Sequence, residues 1–160
     1  MSLLPSVLIL GAVAMVALQF TRGRAISDDP IILRRAAVGL AIATVVQGIH
    51  FTEEALTGFH ETFPAAFGQP PMSYTLFLVF NVGWLCIWAI SIRGLISGQR
   101  AAFFAAWFLA IAGVLNAIAH PLLAVTTRGY FPGLLTSPLI GVAAAVLWRR
   151  LSDATVEQAA

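Results

Sequence analysis

Lysine is absent from this sequence, and charge of either sign is scarce. Only 10% of the residues are charged; the nine basic residues are all arginine, and seven residues are acidic. A water-soluble domain is about a quarter charged. It also cannot cover so large an apolar share at this length: 59% of the 160 residues are hydrophobic and the mean hydropathy is +0.90. The single cysteine, Cys86, excludes an internal disulfide. It lies between Trp84 and Trp88 in an apolar run, where a thiol serves as a small hydrophobe. The formal charge of +2 does not signal nucleic acid, because the arginines stand in scattered pairs between apolar runs and make no basic face with interleaved aromatics. These absences leave one class: an all-α integral membrane bundle, one transmembrane domain over residues 1–160, with membrane lipids around it and no nucleic-acid partner.

A spanning helix needs roughly 20 apolar residues. Five stretches qualify and predict helices over about 3–20, 36–59, 74–92, 101–125 and 134–148. The last holds Pro138, which predicts a kink or a tilt. Ser27-Asp28-Asp29-Pro30 stops one helix and restarts the next with proline in an early position. The polar tail after Arg150 is expected to fray. Arg22, Arg24, Arg34, Arg35, Arg93, Arg100, Arg149 and Arg150 fall in the odd connections and at the C-terminal end; the even connections hold only Arg128. Positive residues stay cytoplasmic, which puts the N-terminus outside and the C-terminus inside in a multi-pass protein. No charge precedes the first apolar run and arginines come after it, so it reads as a helix and not as a cleaved signal. The tryptophans read as interface anchors, Trp148 beside Arg149 above all.

Glu53 and Glu54 are the only acidic residues inside a predicted span, joined there by His50 and His120. An ionisable group at mid-membrane costs about 2.5–3.5 kcal/mol on insertion scales and is kept where it faces a bundle interior. Counted from Arg35 and Arg100, His50 and Asn116 stand about 22–24 Å up, and Glu54 and His120 about 29–30 Å up. On the second helix His50 and Glu54 share a stripe with Ala36, Gly39, Ala43 and Gln47; on the fourth, His120 shares one with Ala102, Ala106, Ala110, Gly113 and Ala117. Small residues mark close helix contact in membranes. The spacing therefore predicts a polar pocket open to the outer face, lined by Gln47, His50, Glu53, Glu54, Asn116 and His120, with Asn81, Tyr130, Thr136 and Ser137 at its walls or rim.

Three functional readings are open. His50 with Glu53 or Glu54 at i, i+3 and i+4, completed by His120, suits a divalent metal, zinc or iron. Without metal, the coupled carboxyls Glu53 and Glu54 suit catalytic proton transfer on a lipid-like substrate. A proton, cation or small-molecule transport or binding path uses the same residues. The plain alternative is polar glue between helices, or snorkelling of Glu54 to the interface; it explains Asn81 and Asn116 well and adjacent glutamates badly, since one amide would serve at lower cost. His60 reads as a solvated loop residue. A homo-oligomer or a larger membrane complex, with this chain as a structural subunit, is the remaining possibility for partners.

His50-Phe51-Thr52-Glu53-Glu54 resembles the motif of the HXXEE family of small bacterial membrane proteins. Asn116-Ala117-Ile118-Ala119-His120 and Tyr130-Phe131-Pro132-Gly133 are similar to segments that lie C-terminal to that motif in the family. The resemblance covers about residues 34–150 and implies a multi-helix domain of a bacterial inner membrane with His50, Glu53 and Glu54 as its site. It implies no reaction.

Overall fold

Caps written into the sequence set the starts of two of the long helices, at Asp29 and Ser73. The structure, a computed structural model, describes residues 4–157; Leu3, the expected first helical residue, and the last three residues of the tail lie outside it. In chain order come α1 (Leu4–Arg22), β1 (Arg24–Ile26), α2 (Pro30–Thr57), α3 (Phe59–Ala65), α4 (Tyr74–Ile96), α5 (Arg100–Thr127), α6 (Ser137–Ala154) and β2 (Thr155–Glu157). Asp29 caps α2, its carboxylate accepting the Ile31 N–H at 2.7 Å, with Pro30 in the first turn. The helix therefore starts six residues before Ala36, and Arg34 and Arg35 belong to α2 and not to the connection. α4 likewise runs through Arg93 to Ile96. Pro138 opens α6 instead of kinking it, because a proline in the first turn forfeits no hydrogen bond.

Two features depart from the expected five-helix all-α chain. Gly58 ends α2 in the left-handed region (φ +84°), and the chain restarts as the short α3, which carries His60. His60 is a helical residue packed on Tyr74 and not a loop residue. Nor does the described part of the tail fray: β2 pairs antiparallel with β1, Arg24 opposite Glu157 and Ile26 opposite Thr155. Leu151 and Ala154 are fully buried, and that burial holds the end of α6 against the first connection.

α2, α4, α5 and α6 pack as a four-helix bundle in which α2 and α5 each touch both α4 and α6, and α1 lies outside against α5. α5 is the axis, buried from Phe103 through Ile111 on nearly every face. Small residues let the helices close. A Cβ on Gly113 would fall within 3.2 Å of Ile140, and one on Gly94 within 3.2 Å of Gln99. Trp88 and Trp107 are core residues, whereas Trp84 and Trp148 are half-buried. Trp107 is fully buried, Trp88 donates its indole N–H to the Ala105 carbonyl (2.9 Å), and Trp148 packs edge-on against Trp107 and Phe20. Three of the helices, α2, α4 and α5, are long and apolar enough to cross a membrane. Arg100 bonds the Thr21 and Arg24 carbonyls and Arg150 bonds that of Arg35, so Arg22, Arg24, Arg34, Arg35, Arg93, Arg100, Arg149 and Arg150 gather at one end of the bundle. Arg128 stands at the other end, with α3 and the start of α6.

Candidate metal centre

At the end away from those arginines, α2 and α5 turn three side chains toward one point. Oε1 of Glu54 lies 3.5 Å from Nε2 of His50 and 3.5 Å from Nε2 of His120, and the three ligand-type atoms all lie within 4.8 Å of one another. His50 and Glu54 share a face because they are one turn apart on α2. His120 comes from the last third of α5, and the imidazoles meet edge to face with ring centres 4.9 Å apart. The site is closed rather than the open pocket expected: His50, Glu54 and His120 are 0%, 5% and 2% exposed. Burial at that level also excludes the snorkelling reading of Glu54.

The outer ring nitrogens fix the tautomers. His120 Nδ1 faces the Pro132 carbonyl at 2.6 Å, and a carbonyl only accepts, so Nδ1 carries the hydrogen. His50 Nδ1 faces Thr136 Oγ1 at 2.8 Å. That hydroxyl spends its one hydrogen on Glu53 Oε2, so it must accept from His50. In their neutral forms both imidazoles turn an unprotonated Nε2 toward the Glu54 carboxylate. The Asn116 amide lies 3.3 Å from His50 Nε2 and engages that lone pair, so a metal at this point would displace the contact. Three acceptors converging on a buried point repel one another unless a proton or a metal cation lies among them. The residue chemistry suits a metal ion: neutral imidazoles and a carboxylate, each imidazole anchored through its far nitrogen.

Glu53 does a different job from its neighbour. It stands outside the group of three, although the sequence groups them. Its carboxylate accepts from the Tyr130 hydroxyl (2.6 Å), the Leu135 N–H (3.0 Å), and both the N–H (2.8 Å) and hydroxyl of Thr136. It therefore holds the segment between α5 and α6 over the site, and through Thr136 it orients His50. Desolvation, with the hydrogen bond to Glu53 next, pushes the Tyr130 phenol above its ordinary value of 10, so the phenol stays a donor through neutral pH.

The remaining expected residues divide. Gln47 is buried one turn below His50. Asn81 donates to the Phe77 carbonyl of its own helix and Ser137 to the Leu134 carbonyl, so Asn81 braces α4 and Ser137 the α6 start instead of feeding the site. The sequence reading misses Gly133. At φ +88° it lies against both imidazoles, and a Cβ there would fall 2.5 Å from His120 Cε1 and 2.9 Å from His50 Cε1. It also misses the aromatic surround: Phe59 and Phe131 flank His120 at 5.8 and 5.7 Å, continuous with Phe51, Phe63, Met72 and Phe77.

One family model matches the chain, described as "Protein of unknown function with HXXEE motif", over residues 41–148. No curated protein and no solved structure matches it.

Proposed function

The chain belongs to the HXXEE family, and we propose that the motif's histidine and second glutamate, with His120, form a divalent-metal centre in a five-span membrane protein. The convergence of three acceptor atoms on one buried point carries this reading. Two ligands about 2.0–2.1 Å from a tetrahedral metal stand about 3.3 Å apart. The two Nε2–Oε1 separations of 3.5 Å are near that edge and longer than a good N–H···O hydrogen bond. Charge agrees. A divalent ion with Glu54 leaves one positive charge in a low-dielectric site, and Glu53 offsets it through Thr136. Two imidazoles and one carboxylate with a position open is a ligand set of catalytic zinc, and equally of non-haem iron.

The function we assign is a metal-dependent membrane enzyme acting on a lipid-like substrate, reached when the segment between α5 and α6 lifts. The aromatic surround supplies apolar walls, and Asn116 can hold a water or a substrate oxygen beside the metal. A cation-binding or transport role is the rival, favoured by the burial of all three ligands. Purified protein is expected to hold about one zinc or iron per chain by elemental analysis, and His50→Ala or His120→Ala to hold none. Protein that stays metal-free under zinc and iron supply overturns the centre. Lipid extracts of a deletion strain that accumulate one species support the enzyme; unchanged extracts with metal-dependent liposome uptake favour the rival.

The spans are α1, α2, α4, α5 and α6, with the arginine-rich end cytoplasmic and the metal centre toward the outer leaflet. A fluorescent protein fused after residue 160 is expected to fold in the cytoplasm, and a periplasm-dependent phosphatase inserted at Gln69 to be active. The opposite pattern refutes the orientation.

A further inference from the structure

The arginine-rich end holds a second site, independent of the metal centre. Between the start of α2 and the end of α6 lies a cavity of about 330 Å³ lined by Ile32, Arg35, Arg150 and Asp153. Arg150 is held in place there. Gly39 makes room for its stem, since a Cβ on Gly39 would meet Arg150 Cδ at 2.9 Å. One guanidinium nitrogen donates to the Arg35 carbonyl at 3.2 Å, leaving further N–H groups for a ligand. Among the described residues every carboxylate ion pair within 4.0 Å involves a histidine, so Asp153 makes no direct ion pair with Arg35 or Arg150.

Both helices lead away from this cavity along exposed apolar stripes. Val38, Ile42 and Val45 continue from Arg35 on α2, and Val146, Val142 and Leu139 from Arg150 on α6. At about 100° per residue each stripe lies on the side of its helix that carries the cavity residues. Two cations, one anion and a paired apolar track form the outline of a lipid with a zwitterionic head. The geometry points to a binding site for an aminophospholipid of the arginine-side leaflet. Its phosphodiester sits between Arg35 and Arg150, its primary ammonium meets Asp153, and its chains lie along α2 and α6. Planar guanidinium donors match phosphate oxygens. The carboxylate selects a headgroup that carries N–H donors, which a diol or a quaternary ammonium lacks. The stripes favour a lipid over a free phosphate ester. This site rests on the membrane reading of the helices and not on the metal, so membrane fractionation tests that reading separately.

The test is native mass spectrometry of the full chain in detergent, titrated with phosphatidylethanolamine, phosphatidylglycerol and phosphatidylcholine of identical chains. Phosphatidylethanolamine is expected to bind tightest. Arg35→Gln should weaken it about tenfold, the scale of one lost charge-assisted hydrogen bond, and Asp153→Asn should level it with phosphatidylglycerol. Both side chains are exposed, so the fold should survive each change. Equal binding of the three lipids, or a preference that survives Asp153→Asn, overturns the assignment. So does displacement by soluble phosphoethanolamine at the same concentration, which would make the site one for free phosphate esters.

Discussion

Replacing Gly133 by alanine is expected to abolish metal binding at the proposed centre while leaving the helices in place. The added Cβ would stand 2.5 Å from His120 Cε1, 2.7 Å from its Nδ1 and 2.9 Å from His50 Cε1. Neither ring has room to yield. His120 is tied to the Pro132 carbonyl and His50 to Thr136, so a ring that turns away loses the bond that aims its Nε2. If the segment lifts instead, Thr136 leaves Glu53 and the same orientation is lost. An L-residue at φ +88° adds backbone strain of about 1–2 kcal/mol. Affinity for zinc, measured against a competing chelator in detergent, should fall at least about 100-fold, the upper range for losing the groups that orient a ligand. Gly129→Ala is the control: it lies in the same segment, with nothing within 4 Å of an added Cβ, and should bind as the parent does. Helical circular dichroism and the thermal midpoint separate a blocked site from a failed fold. A Gly133→Ala protein with parental affinity would mean that this segment does not cover the centre.

The apolar runs and the arginine pairs announce long helices and which of their ends lie together. That is because bilayer thickness and charge cost act on local sequence, one segment at a time. Residue counting sets His50 level with Asn116 and Glu54 level with His120, and these are pairs in contact. What counting along a helix cannot reach is the division of labour between Glu53 and Glu54. Adjacent residues on a helix differ by about 100° in direction, and only the neighbours decide which one turns inward. Those neighbours come from Tyr130 to Thr136, an irregular segment with no periodicity to read. Its Pro132-Gly133 pair signals a turn, but nothing local states what the turn lies over. Trp88 and Trp107 mislead for a related reason: Trp88 stacks on Phe108 and Trp107 fills the α5 core, a packing choice that composition alone cannot separate from an interface belt.

The paired glutamates are expected to separate in a single titration. Glu54→Gln removes the one anionic ligand from a site whose other donors are neutral, and metal should be undetectable at any concentration that saturates the parent. Glu53→Gln leaves all three ligand atoms in place, so full occupancy should still be reached, at about 10–100-fold higher free metal, the range for losing a partner that orients a ligand. The glutamine loses twice over. It gives up the negative charge that balances the ion. It also turns an amide NH₂ toward the N–H groups of Leu135 or Thr136, where a carboxylate oxygen had accepted. Thr136 gives the independent readout. Thr136→Ser keeps a hydroxyl between His50 Nδ1 and Glu53 and should bind nearly as the parent does. Thr136→Val, of similar volume, should copy Glu53→Gln. If Glu53→Gln and Glu54→Gln lose metal equally, or Glu54→Gln keeps it, then Glu53 is itself a ligand and the relay through Thr136 is not what orients His50. On the proposed reading that contrast gives the two adjacent carboxylates separate tasks. Glu54 faces inward, where it would bind the metal, and Glu53 faces the covering segment, holds it down and would offset the ion's charge from outside.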